Sequence, residues 1–199
     1  MSDLPTLILA SRSSVRATLL ENAGLHFRVE VSPVDEDAAK KSFEGDGNAL
    51  AQMLAQMKAQ IVSAEAGADQ YVIGADQVLT CEGRMFDKPK NLDQVRENLC
   101  FFRGKTHTLH SAVTVARNGE IKWSHVAEAH LTMRTYSDEF VAHYVRRVGD
   151  KLLKSVGCYQ LEGPGVQLFE RIDGDYFTIL GLPLLPLFTY LRGEGAMEK

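Results

Sequence analysis

The sequence predicts a mixed α/β fold, and three observations lead there. Short apolar runs at residues 7–9 and 71–79 alternate with stretches whose apolar side chains recur at helical spacing. Residues 106–116 and 121–132 flank Asn118-Gly119, a strong hairpin signal that adds antiparallel strands and argues against an all-parallel sheet. No internal repeat or low-complexity tract interrupts the 199 residues, a length that suits one domain over residues 1–199.

Taken in order, residues 7–9 read as a buried strand, followed by a helix that Ser13 or Ser14 caps and Gly24 ends. Residues 26–31 alternate, with Phe27, Val29 and Val31 on one face of a strand. The acidic run Asp35-Glu36-Asp37 reads as a short loop. Leu50, Met53, Leu54, Met57 and Ile61 then mark an amphipathic helix over residues 48–66. The strand at 71–79 is expected to break at Gly74-Ala75-Asp76-Gln77, with a turn at Glu82-Gly83 and a loop closed by Lys88-Pro89. A helix over 93–102 stops near Gly104, ahead of the hairpin. Ser137 caps the next helix, whose Asp138 and Glu139 at the start and Arg146 and Arg147 near the end match the helix dipole. A glycine-punctuated loop at 157–165 leads to a strand at 166–169, and a last helix runs from near Pro183 toward Leu191.

Composition narrows the function classes. With 45% hydrophobic and 24% charged residues the chain can bury a core and is not a disordered polymer. A net charge of −4 provides no electrostatic footprint for duplex nucleic acid. An anionic substrate would need a local cluster of positive charge or a metal ion. No apolar run is long enough to span a membrane, and residues 1–5 carry no signal-peptide pattern. Cys81, Cys100 and Cys158 are scattered without zinc spacing, which fits apolar filler and a reducing cytoplasmic location.

Candidate chemistry begins at residues 7–20, LILASRSSVRATLL. Unpaired N–H groups at a helix N-terminus attract phosphate, and Ser11, Ser13 and Arg16 would complete a cradle. An ordinary strand–turn–helix with a serine cap explains the same residues. Asp76 is the odd residue of its strand, because an ionised carboxylate among buried apolar neighbours needs a counter-charge or a metal. A Mg²⁺-type ion is commonly held by one or two carboxylates plus substrate phosphates, and Asp76 with Glu36 would supply two. A solvated acid in a turn is the alternative for each. Lys58 lies on the flank of its helical stripe and Lys88 in a stiffened loop; each reads either as a surface lysine or as an anion ligand. The six histidines show no metal-binding grouping, and His107 and His110 read as structural. Serine-hydrolase, P-loop and dinucleotide-binding signatures do not occur.

In this order the pieces resemble the Maf-type nucleoside triphosphate pyrophosphatases over essentially the whole chain. The matching stretches are LASRSSVRATLL at 9–20, VDE at 34–36, LAQMKA at 54–59, GADQV at 74–78, DKP at 87–89, RGKTH at 103–107 with the SAV after it, VGCYQLEGPG at 156–165 and GLPL at 181–184. The resemblance implies an elongated mixed sheet flanked by helices, with a deep nucleotide cleft between two lobes as in ITPases. It implies hydrolysis of a nucleoside triphosphate to monophosphate and pyrophosphate with a divalent cation, Mg, Mn or Co. It carries the catalytic role onto Asp76 and metal contact onto Glu36 and Asp76. Phosphate contacts fall on Ser11, Ser13, Arg16, Lys58 and Lys88, and base selection on Val15, Gln77 and Glu162.

Departures within the family bear on the base. The branch acting on dTTP and UTP carries arginine, threonine and glutamine where this chain has Val15, Gln77 and Glu162. Gln77, Glu162 and residues 168–171 are closer to the branch that hydrolyses 7-methyl-GTP, although that branch carries tryptophan at the Val15 position. A carboxylate and an aromatic ring both suit a cationic methylated guanine. A dTTP/UTP or ITP-type house-cleaning pyrophosphatase and a non-enzymatic nucleotide sensor in cell division are the other readings. The expected partners are a nucleotide and, as an open question, a second copy in a homodimer.

Overall fold

The structure, a computed structural model, describes residues 5–198. Met1–Leu4 and Lys199 lie outside the described residues, so most of the segment inspected for a signal pattern falls there. One seven-stranded sheet has the order β2-β1-β3-β5-β6-β7, with β4 paired to β3. Its strands are β1 (Leu7–Ala10), β2 (Phe27–Val29), β3 (Tyr71–Cys81), β4 (Arg84–Phe86), β5 (Thr106–Arg117), β6 (Glu120–Met133) and β7 (Phe169–Asp173). The helices are α1 (Ser14–Asn22), α2 (Glu36–Lys41), α3 (Gly47–Glu65), α4 (Leu92–Phe102), α5 (Asp138–Val148), α6 (Tyr176–Ile179) and α7 (Leu184–Gly193). β1 runs parallel to both β2 and β3, whereas β4 and β7 pair antiparallel with their neighbours. The mixed α/β class expected from the sequence is therefore what forms.

The chain divides into two compact units. The first contains the described residues up to Gln77, Ser111–Ala127 and the chain from Tyr176 onward; the second contains Val78–His110 and Glu128–Asp175. In the first unit, Leu7, Leu9, Ile73, Ala75, Val113 and Val115 pack on one sheet face against Leu19, Leu20, Leu184, Leu187 and Leu191 of α1 and α7. On the other face, Ile8, Ala10 and Val72 pack against Val62 of α3. In the second unit, Val95, Leu99, Phe102, Met133, Tyr136, Tyr144, Val145, Leu152, Cys158, Tyr159 and Leu168 are all buried.

Several expectations need correction. β3 is continuous through Gly74–Gln77 rather than interrupted. Gly74 is not a turn residue: a Cβ there would lie 2.2 Å from the Ala55 carbonyl oxygen and 2.7 Å from the Ala59 nitrogen. The glycine lets α3 lie directly on the strand, a close backbone approach that no side chain would permit. For the same reason the buried face of α3 is Leu50, Ala51, Leu54, Ala55, Lys58, Ala59 and Val62. The expected stripe was rotated, and Ile61 is exposed. Asp35-Glu36-Asp37 is not a loop; Asp35 caps α2 by accepting from the Ala38 amide, and the acids follow in the first turn. β2 is a three-residue edge strand whose Val29 is exposed, and Val31 is exposed beyond it. Residues 166–168 belong to a 3₁₀ turn, Pro164–Leu168, so the strand begins at Phe169. Cys100 is exposed, unlike Cys81 and Cys158.

Other local readings hold. Ser13 and Ser137 accept from the amides of Arg16 and Phe140 as helix caps. Glu82-Gly83 and Asn118-Gly119 both have positive φ at two successive residues, the conformation that two-residue hairpins demand. No helix among the described residues is long and apolar enough to cross a membrane.

Candidate active site

The strand order puts a switch point between β1 and β3. From β1 the chain moves outward to β2, then returns across β1 to add β3 on the other side. Loops leaving the carboxyl ends of parallel strands diverge at such a point and open a site there. β1 ends at Ala10, opposite Gly74, while β3 continues through Ala75, Asp76 and Gln77. The loop after β1 supplies Ser11 and Ser13, and the segment after β2 leads to Glu36.

Arg16 ties these parts together. Its Nε donates to the Gly181 carbonyl at 2.7 Å, and its Nη1 donates to the Ala75 carbonyl at 3.0 Å and to Ser11 Oγ at 3.2 Å. Ser11 Oγ also accepts from the Ser13 amide, and Ser13 Oγ from the Arg16 amide. The serines thus act as acceptors in this frame, which leaves their own protons for an incoming oxygen. Burial pushes the Arg16 guanidinium below its usual pKa, while the nearby charges of Asp76 and Glu36 act in the opposite sense. The sequence offered Arg16 as a phosphate ligand; two of its nitrogens serve first as a strap between α1, β3 and the turn before α7.

Asp76 points to the α3 face of the sheet, where Lys58 waits. Lys58 Nζ lies 2.6 Å from Asp76 Oδ1 and 2.8 Å from Glu36 Oε1. The Lys58 and Asp76 side chains are only 8% and 10% exposed, whereas Glu36 is 43% exposed. The ammonium therefore offsets the repulsion between two carboxylates that the fold brings to one point. In place of the solvated-acid reading, Asp76 carries the buried, counter-charged one. Glu36 reaches the same lysine from the first turn of α2.

These two carboxylates are the test of whether a divalent cation suits the site. Among the described residues no group of three or more His, Cys, Asp or Glu could hold a metal by itself. Two hard oxygen donors converging on one cation fit an ion of the Mg²⁺ type that completes its shell with phosphate oxygens and water. The residues present fit that group and would not make a closed structural cage.

Gln77 follows Asp76 on the opposite sheet face and is half-buried. Val15 is half-buried on the first turn of α1. Lys88 and Glu162 are both exposed and belong to the second unit. Ser11, Ser13, Arg16, Glu36, Lys58, Asp76 and Gln77 are thus all in the first unit. His107 and His110 are buried in the second, hydrogen-bonded to Tyr159 and Thr80 respectively, in keeping with structural roles. Ser111 and Gly181 lie in the SAV and GLPL stretches that carry the resemblance, but the sequence reading assigns neither a role. Ser111 had a signal, a hydroxyl inside an apolar strand run. Gly181 had a weaker one, a glycine just before the last helix.

A family model described as Maf-like protein matches residues 6–194. The 7-methyl-GTP pyrophosphatase of Brucella suis biovar 1 is 48% identical over 96% of this chain and 98% of its own. A nucleoside triphosphate pyrophosphatase of Caulobacter vibrioides is 49% identical over 98% of both chains. A solved HAM1 protein from Coxiella burnetii overlays with a TM-score of 0.40 and 13% identity, over 65% of this chain and 73% of that one.

Proposed function

The chain belongs to the Maf family, and from that membership we propose that it hydrolyses a nucleoside triphosphate to the monophosphate and pyrophosphate. The observation that carries the chemistry is the Lys58 ammonium held between Asp76 and Glu36 beside the Arg16 strap. In this reading a water oxygen bonds to the α-phosphorus while the bond from the α-phosphorus to the α,β-bridging oxygen breaks. Asp76 accepts the water's proton, and pyrophosphate leaves with the bridging oxygen. Glu36 and Asp76 would hold a divalent cation, which supplies charge stabilisation at the phosphate oxygens when bound. Lys58 orients the Asp76 carboxylate and offers a cation to the triphosphate. Ser11 and Ser13 offer hydroxyl protons to phosphate oxygens, with Arg16 fixing the loop that presents them.

For the base, we read Gln77 as a selecting residue in the first unit. The resemblance assigns the same task to Val15 and Glu162, and phosphate contact to Lys88. Support for a methylated guanine comes from the names of relatives such as that of Brucella suis and from Gln77 and Glu162. A panel of nucleotides with pyrophosphate as readout, run with Mg²⁺, Mn²⁺ or a chelator, tests the whole reading. The expected result is cation-dependent pyrophosphate release, fastest with 7-methyl-GTP. Release of orthophosphate alone, or no turnover of any nucleotide with either metal, would refute it.

A further inference from the structure

The Gln77 amide is held in one orientation by groups that leave it no choice. Its Nε2 lies 2.9 Å from Ser111 Oγ, 3.1 Å from the Thr178 carbonyl and 3.0 Å from the Ile179 carbonyl. Ser111 is fully buried and donates its own proton to the Thr178 carbonyl at 2.7 Å. Backbone carbonyls can only accept, and the Ser111 hydroxyl, with its proton committed, can only accept as well. Only the amino end of the amide fits against three acceptors; turned over, its oxygen would meet them with no proton to share. Gln77 Oε1 is therefore the outward atom, and it has no hydrogen-bond partner among the described residues.

The same turn also holds Arg16. A Cβ on Gly181, whose φ is +89°, would come within 3.3 Å of Arg16 Nη2 and 3.6 Å of Gln77 Cδ. The turn at 178–181 thus fixes the phosphate-side strap and the Gln77 amide at once. We propose that the Thr178 and Ile179 carbonyls, with Ser111 beside them, lock Gln77 as a hydrogen-bond acceptor. The locked oxygen favours nucleobases whose ring nitrogen carries a proton, guanine at N1 or uracil at N3. It disfavours adenine and cytosine, whose matching nitrogen is itself an acceptor. This inference rests on the pyrophosphatase reading and names the feature of the base that one of its residues selects.

The test compares kcat/KM for GTP against ATP and for UTP against CTP, two pairs that differ in the protonation of that ring nitrogen. The wild-type protein is expected to prefer the first member of each pair. Gln77→Met removes that acceptor without touching the turn or β5, so both ratios should fall by about tenfold or more. Ser111→Ala leaves both amide protons on the Thr178 and Ile179 carbonyls and should keep the ratios close to those of the wild type. Should Gln77→Met not fold, Gln77→Leu, which likewise carries no acceptor, is expected to collapse the same ratios. Unchanged ratios in a folded Gln77→Met or Gln77→Leu variant, a fall of about tenfold in Ser111→Ala, or a wild-type preference for ATP and CTP, would overturn the inference while leaving the hydrolytic reading intact. Absence of pyrophosphate from every nucleotide would instead sink the reading beneath it.

Discussion

The two units bury ionisable groups in opposite ways. The first buries charges: Lys58 and Asp76 as a pair, and Arg16 on backbone carbonyls. The second buries groups that its surroundings keep neutral. His107 is pushed down to about 3 by desolvation, and burial pushes the Cys158 thiol up to about 12. The phenols of Tyr136, Tyr144 and Tyr159 are likewise raised by burial. Tyr159 Oη lies 2.8 Å from His107 Nε2 and Tyr136 donates to the Leu99 carbonyl at 2.6 Å, whereas the buried His107 Nδ1 has no hydrogen-bond partner among the described residues. Charge kept in a dry place costs stability unless it is compensated, so where a fold keeps it, chemistry is the first explanation to test. Neutral burial among aromatic rings is what a core does.

That contrast can be broken at its strongest point by Asp76→Asn. The change keeps shape and removes the carboxylate proposed as the base, so turnover should fall by at least roughly 10²–10⁴-fold, measured as pyrophosphate release at saturating nucleotide. Lys58→Met comes next, because it leaves Asp76 and Glu36 facing each other without their counter-ion. Urea unfolding should show a loss of about 3–5 kcal/mol, the scale for stranding a buried charge, alongside lost activity. A variant as stable as the wild type would mean that the pair is not buried as described.

The neutral region answers to pH instead. Between about 3 and 6.5 the unfolded His107 binds a proton that the folded one refuses. Stability must then fall as pH drops through that window, and above it the contribution is fully present. At pH 5 the loss should be about 2 kcal/mol, seen as a lowered urea midpoint that His107→Phe largely abolishes. The smallest expected effect is that of Ser13→Ala. Losing the α1 cap should cost about 1 kcal/mol, and a rise in KM beyond that of a matched cap variant, Ser137→Ala, would separate phosphate contact from capping.

The same contrast explains what could be read before any coordinates. Asp76 stood out because a carboxylate interrupts an apolar strand, and the fold supplies the counter-charge that such a residue requires. Lys58 was harder, since a lysine on the flank of a stripe reads equally well as a snorkelling surface residue. The true stripe was hidden because Ala51, Ala55 and Ala59 carry little hydrophobic signal, yet they are what lets α3 reach Gly74. Gly74 itself looked like a strand break, as a close backbone approach and a turn both ask for glycine. Asp35–Asp37 looked like solvated acids because a two-turn helix such as α2 leaves almost no periodicity to detect. Ser111 and Gly181 act through contacts more than 30 and 160 residues away in sequence, to Gln77 and Arg16. No local pattern reports such contacts.

The central claim is that the buried charges of the first unit, and not the neutral cluster of the second, carry out hydrolysis at the α-phosphorus. Turnover in heavy-oxygen water, with wild type and Asp76→Asn side by side, addresses it most directly. The label is expected in the nucleoside monophosphate and not in pyrophosphate, with the variant slowed by at least about a hundredfold. Label in the pyrophosphate, or equal rates for the two proteins, would contradict it.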